Sequence, residues 1–168
     1  MAALNFVLSV SLLIAFGIRV GQADCPDEWV QYQGSCYFFV NNYTTWHGSS
    51  KYCQSQNAEL VAVESQDEND FLLRYIHRFR CAFNSQFWLD ATDMILEGVW
   101  EWAQSLEALT YFNWGPNEPN GQLNEDCIVV RDDNGEWNDI SCTDRRYFIC
   151  EKKNVPSSCV SDADQVIG

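Results

Sequence analysis

The chain has 168 residues, with 24 Asp and Glu against ten Lys and Arg, and it carries eight Cys and only two His. A formal charge of −14 excludes nucleic acid and anionic membrane surfaces as partners, because phosphate binding needs Lys and Arg. Seven Trp, seven Tyr and ten Phe exclude a disordered chain, and eight Cys beside two His indicate a disulfide framework rather than a zinc enzyme. Residues 6–18 form an uncharged, mostly apolar run, too short to span a bilayer but suited to a signal-peptide core. Gly21 and Ala23 supply small residues for cleavage before Asp24, so residues 1–23 are expected to be a signal peptide and the product secreted and extracellular. No later run approaches membrane-spanning length, and no membrane insertion is expected.

Residues 29–32 and 35–40 read as strands, turned by Gln33-Gly34. Asn42-Tyr43-Thr44 is an N-glycosylation sequon with Asn42 as acceptor, in what reads as a surface turn. Thr44 or Thr45 caps a helix running to Gln56. Ser65-Gln66-Asp67-Glu68 is a capping box, and Phe71, Leu72, Tyr75, Ile76 and Phe79 follow it at helical spacing. Strands are then predicted at 87–89, 99–102, 127–130 and 146–150. Residues 103–125 are too long for an ordinary connection, and loops of that length are usually functional. The pattern predicts an α+β domain over 24–153, followed by a flexible tail over 154–168.

Chemistry concentrates in three pieces: Glu118-Pro119-Asn120, Glu125-Asp126 and Asn138-Asp139. All offer carboxylate or amide oxygens and none offers His or thiolate, a donor set that suits Ca²⁺. A cis Glu118–Pro119 peptide would aim the Glu118 and Asn120 side chains to the same side. An acidic solvated loop explains any one piece alone, but not all three together.

Together with Trp88-Leu89-Asp90-Ala91, Trp100-Glu101-Trp102 and Trp137-Asn138-Asp139, these segments resemble the C-type lectin domain over residues 25–150. Asp90 stands where that family usually has Gly. Within the family the chain is most similar to small secreted molluscan lectins such as perlucin. The resemblance implies a C-type lectin-like fold of two helices and short antiparallel sheets, with a long calcium-binding loop. It implies a sugar-binding calcium held by Glu118, Asn120, Glu125, Asn138 and Asp139. Two vicinal sugar hydroxyls would complete the shell, each donating to a carboxylate and accepting from an Asn amide. Glu-Pro-Asn goes with mannose, fucose, glucose and GlcNAc rather than galactose. An auxiliary calcium would use Asp93, Glu97, Glu125 and Asp126, but Gly121 stands where the family supplies a further ligand.

The same resemblance pairs Cys25 with Cys36, Cys53 with Cys150 and Cys127 with Cys142. Cys81 and Cys159 are left over, and two readings stand: a pair with each other, which is favoured, or an interchain bridge. Function is therefore expected to be calcium-dependent glycan binding, made useful by multivalency that a homo-oligomer would provide. The alternative is an extracellular matrix or mineral-associated protein with the same fold. Enzymatic glycoside hydrolysis is set aside, since carboxylates bound to Ca²⁺ stay ionised and none could serve as the general acid.

Overall fold

The computed structural model describes residues 25–78, 85–121 and 124–153, all within one unit, Cys25–Asn154. The segment expected to be a signal peptide, Phe79, Cys81, Cys159 and the expected tail lie outside the described residues. The elements are β1 (Val30–Tyr32), β2 (Ser35–Thr44), α1 (Trp46–Ser55), β3 (Glu59–Leu60) and α2 (Gln66–Ile76). They continue with β4 (Gln86–Thr92), β5 (Glu101–Trp102), β6 (Cys127–Arg131), β7 (Trp137–Ile140) and β8 (Arg146–Lys153). Among the described residues no helix is long and apolar enough to cross a membrane.

The expected hairpin is present. Gln33 (φ 44°) and Gly34 (φ 89°) both take the left-handed conformation, and Tyr32 pairs with Ser35, the geometry of a two-residue hairpin turn. Thr45 caps α1, its side chain accepting from the Gly48 amide. Ser65 caps α2, accepting from the Glu68 amide at 3.3 Å. The reciprocal half of the capping box is diverted, because Glu68 accepts instead from the Glu64 amide at 2.9 Å and from the Tyr37 hydroxyl at 2.6 Å.

The strands form one sheet in the order β1-β2-β8-β4-β6-β7, with β3 beside β8 and β5 beside β4. All these pairs are antiparallel except β4 with β8, so the short antiparallel sheets of the sequence reading are one mixed sheet. Both faces are covered. Phe87, Leu89, Ile128, Val130 and Ile149 point into one core with Leu72, Ile76 and Trp137, while Trp88, Val129 and Phe148 point into another with Trp46 and the Cys53 and Cys150 sulfurs. The side-chain period of two sends alternate residues to opposite cores, which is why these strands read as unbroken apolar runs. Each such fully buried aliphatic or aromatic side chain contributes roughly 1.5–3 kcal/mol relative to exposure.

Three strand expectations change. The 99–102 strand keeps only Glu101–Trp102, because Val99 closes a turn onto the Leu96 carbonyl and is exposed. Asn42 lies in β2, within the stretch from Val40 to Thr44 where the register with β8 shifts, rather than in a turn; it remains exposed. The Trp137-Asn138-Asp139 segment is itself a strand, antiparallel to β6.

The core also holds acids. Asp90 is 2% exposed, and burial pushes its carboxyl up to about 7. Burial raises Glu68 and Glu151 in the same direction. A carboxyl whose folded pKa is raised binds its proton more tightly in the native state, so stability is full below its unfolded pKa near 3.8 and drains away as pH rises toward 7. Asp90→Asn removes that burden, by roughly 2–4 kcal/mol above pH 7. In thermal melts without calcium the variant is expected to match the parent at pH 4 and to melt higher at pH 8. A pH-independent difference would contradict the assignment.

Candidate functional site

The site is assembled on the β6–β7 hairpin. Ile128 pairs with Asp139 and Val129 with Asn138, and the Cys127–Cys142 disulfide ties the two strands just beyond this pairing. The long loop docks on the outer edge of β7. The Trp137 amide donates to the Asn113 carbonyl at 2.7 Å, and the Gly115 amide donates to the Trp137 carbonyl at 2.9 Å. Beneath them Trp114 and Tyr111 meet the Trp137 ring edge-on, and Trp100 packs on Trp114. This aromatic floor gives an otherwise polar loop a fixed seat.

From that seat the chain turns at Asn117, whose φ of 67° is one Asn tolerates well, and passes through a cis Glu118–Pro119 bond. The next two amides point at one carboxylate. Asn120 N lies 3.0 Å from each Asp139 oxygen, and Gly121 N lies 2.8 Å from Oδ2. Asp139 is only 2% exposed, so these charge-assisted bonds act away from solvent and pin the loop to β7. The Asn120 side-chain amide donates to Glu118 Oε2, which leaves its carbonyl oxygen to accept or ligate. Glu125 lies against Gly121: a Cβ at that glycine would stand 2.0 Å from the Glu125 Cβ. Gly121 is thus required by close approach.

The carboxylates oppose one another electrostatically. Glu118 is pushed up to about 6, first by burial and then by Asp139 and Glu125. Burial, then the charges of Asp139 and Asp144, raise Glu125. Asp93, at the end of β4, is 3% exposed; its amide donates to the Asp126 carbonyl at 3.3 Å, and its Oδ2 accepts from the Gly98 amide at 2.9 Å. Its Oδ1 is buried with no hydrogen-bond partner. Glu97 is exposed, yet raised by desolvation and by Asp93, Asp126 and Asp139 together.

Of the predicted residues, Glu118, Asn120, Glu125 and Asp139 gather around the clamp and Asp93, Glu97 and Asp126 lie beside it, while Asn138 precedes Asp139 in β7, paired with Val129. Among the described residues, no three acidic, His or Cys side chains are already drawn into a metal cage. The donors fit a hard divalent cation all the same. Mutually repelling carboxylates, an orphaned buried Asp93 oxygen and Asn carbonyls make a set that positive charge would relieve. One residue, Asn69, went unread in the sequence. Asn69 of α2 accepts from the Trp137 indole at 2.9 Å and donates to the Gly135 carbonyl, and Asn113 donates to the same carbonyl. A buried Asn on a helix face that should be apolar was the available clue.

All three expected disulfides are present, Cys25–Cys36, Cys53–Cys150 and Cys127–Cys142. His77 is a packing residue, its Nε2 2.7 Å from the Asp132 carbonyl.

Residues 42–152 match the family described as Lectin C-type domain, and the chain belongs to that family of non-enzymatic binding proteins. It is 36% identical over 138 residues to C-type lectin domain family 4 member E of Mus musculus, a match covering 78% of this chain and 61% of that protein. It is 34% identical over 146 residues to CD209 antigen-like protein 2 of Macaca mulatta, covering 85% and 54%. The chain thus spans little more than half the length of these relatives. Among solved structures, the cow C-type carbohydrate-recognition domain of CD23, determined in the presence of a GlcNAc2Man3 oligosaccharide, superposes with a TM-score of 0.69 at 28% identity. That match covers 79% of this chain and 98% of that one. Carbohydrate-recognition domains are therefore its structural kin, and the family generally binds Ca²⁺.

Proposed function

We propose that this chain is a secreted, calcium-dependent lectin for mannose-type sugars: mannose, fucose, glucose and GlcNAc. The observation that carries the reading is the Asp139 clamp, which holds the backbone of Asn120 and Gly121 against β7 and sets Glu118 and Asn120 beside Asp139. Glu118, Asn120, Glu125, Asn138 and Asp139 would hold a Ca²⁺ that, when bound, coordinates two vicinal sugar hydroxyls directly. Glu118 and Glu125 would accept hydrogen bonds from the hydroxyls, and the Asn120 and Asn138 amides would donate to the hydroxyl oxygens. Asp93, Glu97, Glu125 and Asp126 would hold a second, weaker ion, weaker because Gly121 has no side chain to offer. A monosaccharide buries little area, so useful affinity comes from multivalency. Residues 1–23 serve as the signal peptide, 24–153 as the lectin domain and 154–168 as a tail, and exposed Asn42 carries the glycan of its sequon.

Retention of the purified protein on mannose-agarose tests this reading. Binding is expected with Ca²⁺, with release by EDTA or free mannose and not by galactose. Passage through the column by a protein with intact circular dichroism would sink the sugar reading. It would put matrix or mineral contact, to which the acidic charge is suited, in its place.

A further inference from the structure

A second concavity, with a cavity volume of about 500 Å³, opens between the C-terminal end of α1, β3, the segment after β5 and the end of β8. None of Glu118, Asn120, Glu125, Asn138 and Asp139 lines it. Its size is that of a small-molecule site and far exceeds the room a bare ion needs. Leu60 and Trp102 form apolar wall, and Glu59, Asp90, Glu107 and Glu151 bring negative charge. Lys152 and Lys153 also line it but are engaged: the Lys153 ammonium lies 3.6 Å from Glu64, and that of Lys152 lies 5.1 Å from the Trp29 ring centroid.

Asp90 is the unexplained residue. Its Oδ2 accepts from the Gln104 amide at 3.1 Å, while its Oδ1 is buried with no hydrogen-bond partner. A buried carboxylate oxygen left unmet is costly, and a cationic partner would relieve that cost while keeping the group ionised. A divalent ion with six or more oxygens around it would still leave most of this volume empty. An ammonium needs only two or three acceptors, and its organic body would occupy the remaining volume.

We propose that this cavity binds a small organic cation, a primary ammonium on a compact apolar body, with the ammonium held by Asp90 and Glu59 and the body against Leu60 and Trp102. The site is separate from the sugar site and does not depend on it. Benzylamine is the probe and benzyl alcohol its uncharged counterpart, titrated into the ¹⁵N-labelled full chain in EDTA and followed by amide shifts. Saturable benzylamine shifts centred on the Gln104 amide and the Trp102 indole are expected, with benzyl alcohol about tenfold weaker or worse. Asp90→Asn should weaken benzylamine about tenfold, and Glu59→Gln, exposed and therefore harmless to folding, about threefold. Equal binding of the two probes, undiminished binding in the variants, or shifts that avoid Gln104 and Trp102 would each overturn the proposal. So would Ca²⁺ reproducing the Gln104 shifts more tightly than benzylamine, since the cavity would then be a metal site.

Discussion

Asp139→Ala is expected to abolish calcium-dependent retention on mannose-agarose, with a loss of affinity of about 100-fold or more. The substitution strikes the proposed site twice. It removes a carboxylate ligand, and it leaves the Asn120 and Gly121 amides, 3.0 and 2.8 Å from that carboxylate, without the acceptor that fixes the loop. Asp139→Asn keeps the shape but loses the charge, so it should fall between parent and Ala. The fold should survive, because Trp137, Ile128 and the Cys127–Cys142 bridge hold the hairpin without Asp139. Surface plasmon resonance against a mannosylated surface, with circular dichroism in parallel, makes the check. An Asp139→Ala protein that still elutes with mannose would remove the clamp from the mechanism.

The largest stability effect is expected from Cys53→Ala with Cys150→Ala. This disulfide closes a separation of 97 residues, joining α1 to β8 at the centre of the sheet. In the chain-entropy account its removal costs roughly 4–5 kcal/mol, and both sulfurs are fully buried, so a packing loss adds to it. A melting temperature lower by roughly 15 °C follows for a domain of this size. The separation across Cys25–Cys36 is only 11 residues, so removing that pair should cost measurably less. Equal shifts for the two pairs, measured by calorimetry under calcium-free conditions, would argue against loop entropy as the source.

Legibility varied along the chain for identifiable reasons. The helix starts were readable because Thr45 and Ser65 are short-range caps whose partners lie three residues away. The β1–β2 turn was readable because Gln33-Gly34 needs only its own backbone preferences. By contrast, β3 has two residues and exists because it pairs with Glu151 and Cys150 of β8. No local pattern encodes a partner 90 residues away. The Trp137 strand was hidden by its polar neighbours, since Asn138 and Asp139 look like loop residues until β6 is set beside them. Val99 misled in the other direction: a β-branched residue beside two Trp reads as strand, yet it ends a turn and faces solvent. For the candidate site, the donor types were legible from composition and spacing, while the cis state of the Glu118–Pro119 bond was decided by the fold. The clamp was not legible, because it joins backbone amides at 120 and 121 to a side chain at 139.

Sequence by itself determined the donor chemistry, the acid excess, the caps and, through resemblance, the α+β fold and its three bridges. These are properties of residue identity and of short segments, where the interacting groups are covalent near neighbours. Tertiary structure alone decided that the sheet is single and mixed, that Asn69 and Asn113 converge on Gly135, and that Asp139 spends its carboxylate on two loop amides. It also decided that Asp90, one residue different from the usual family motif, sits in the wall of an acidic cavity with an oxygen unmet. Such outcomes depend on which distant surfaces meet as the two cores close. That meeting is set by the summed burial of both sheet faces, which no single segment specifies.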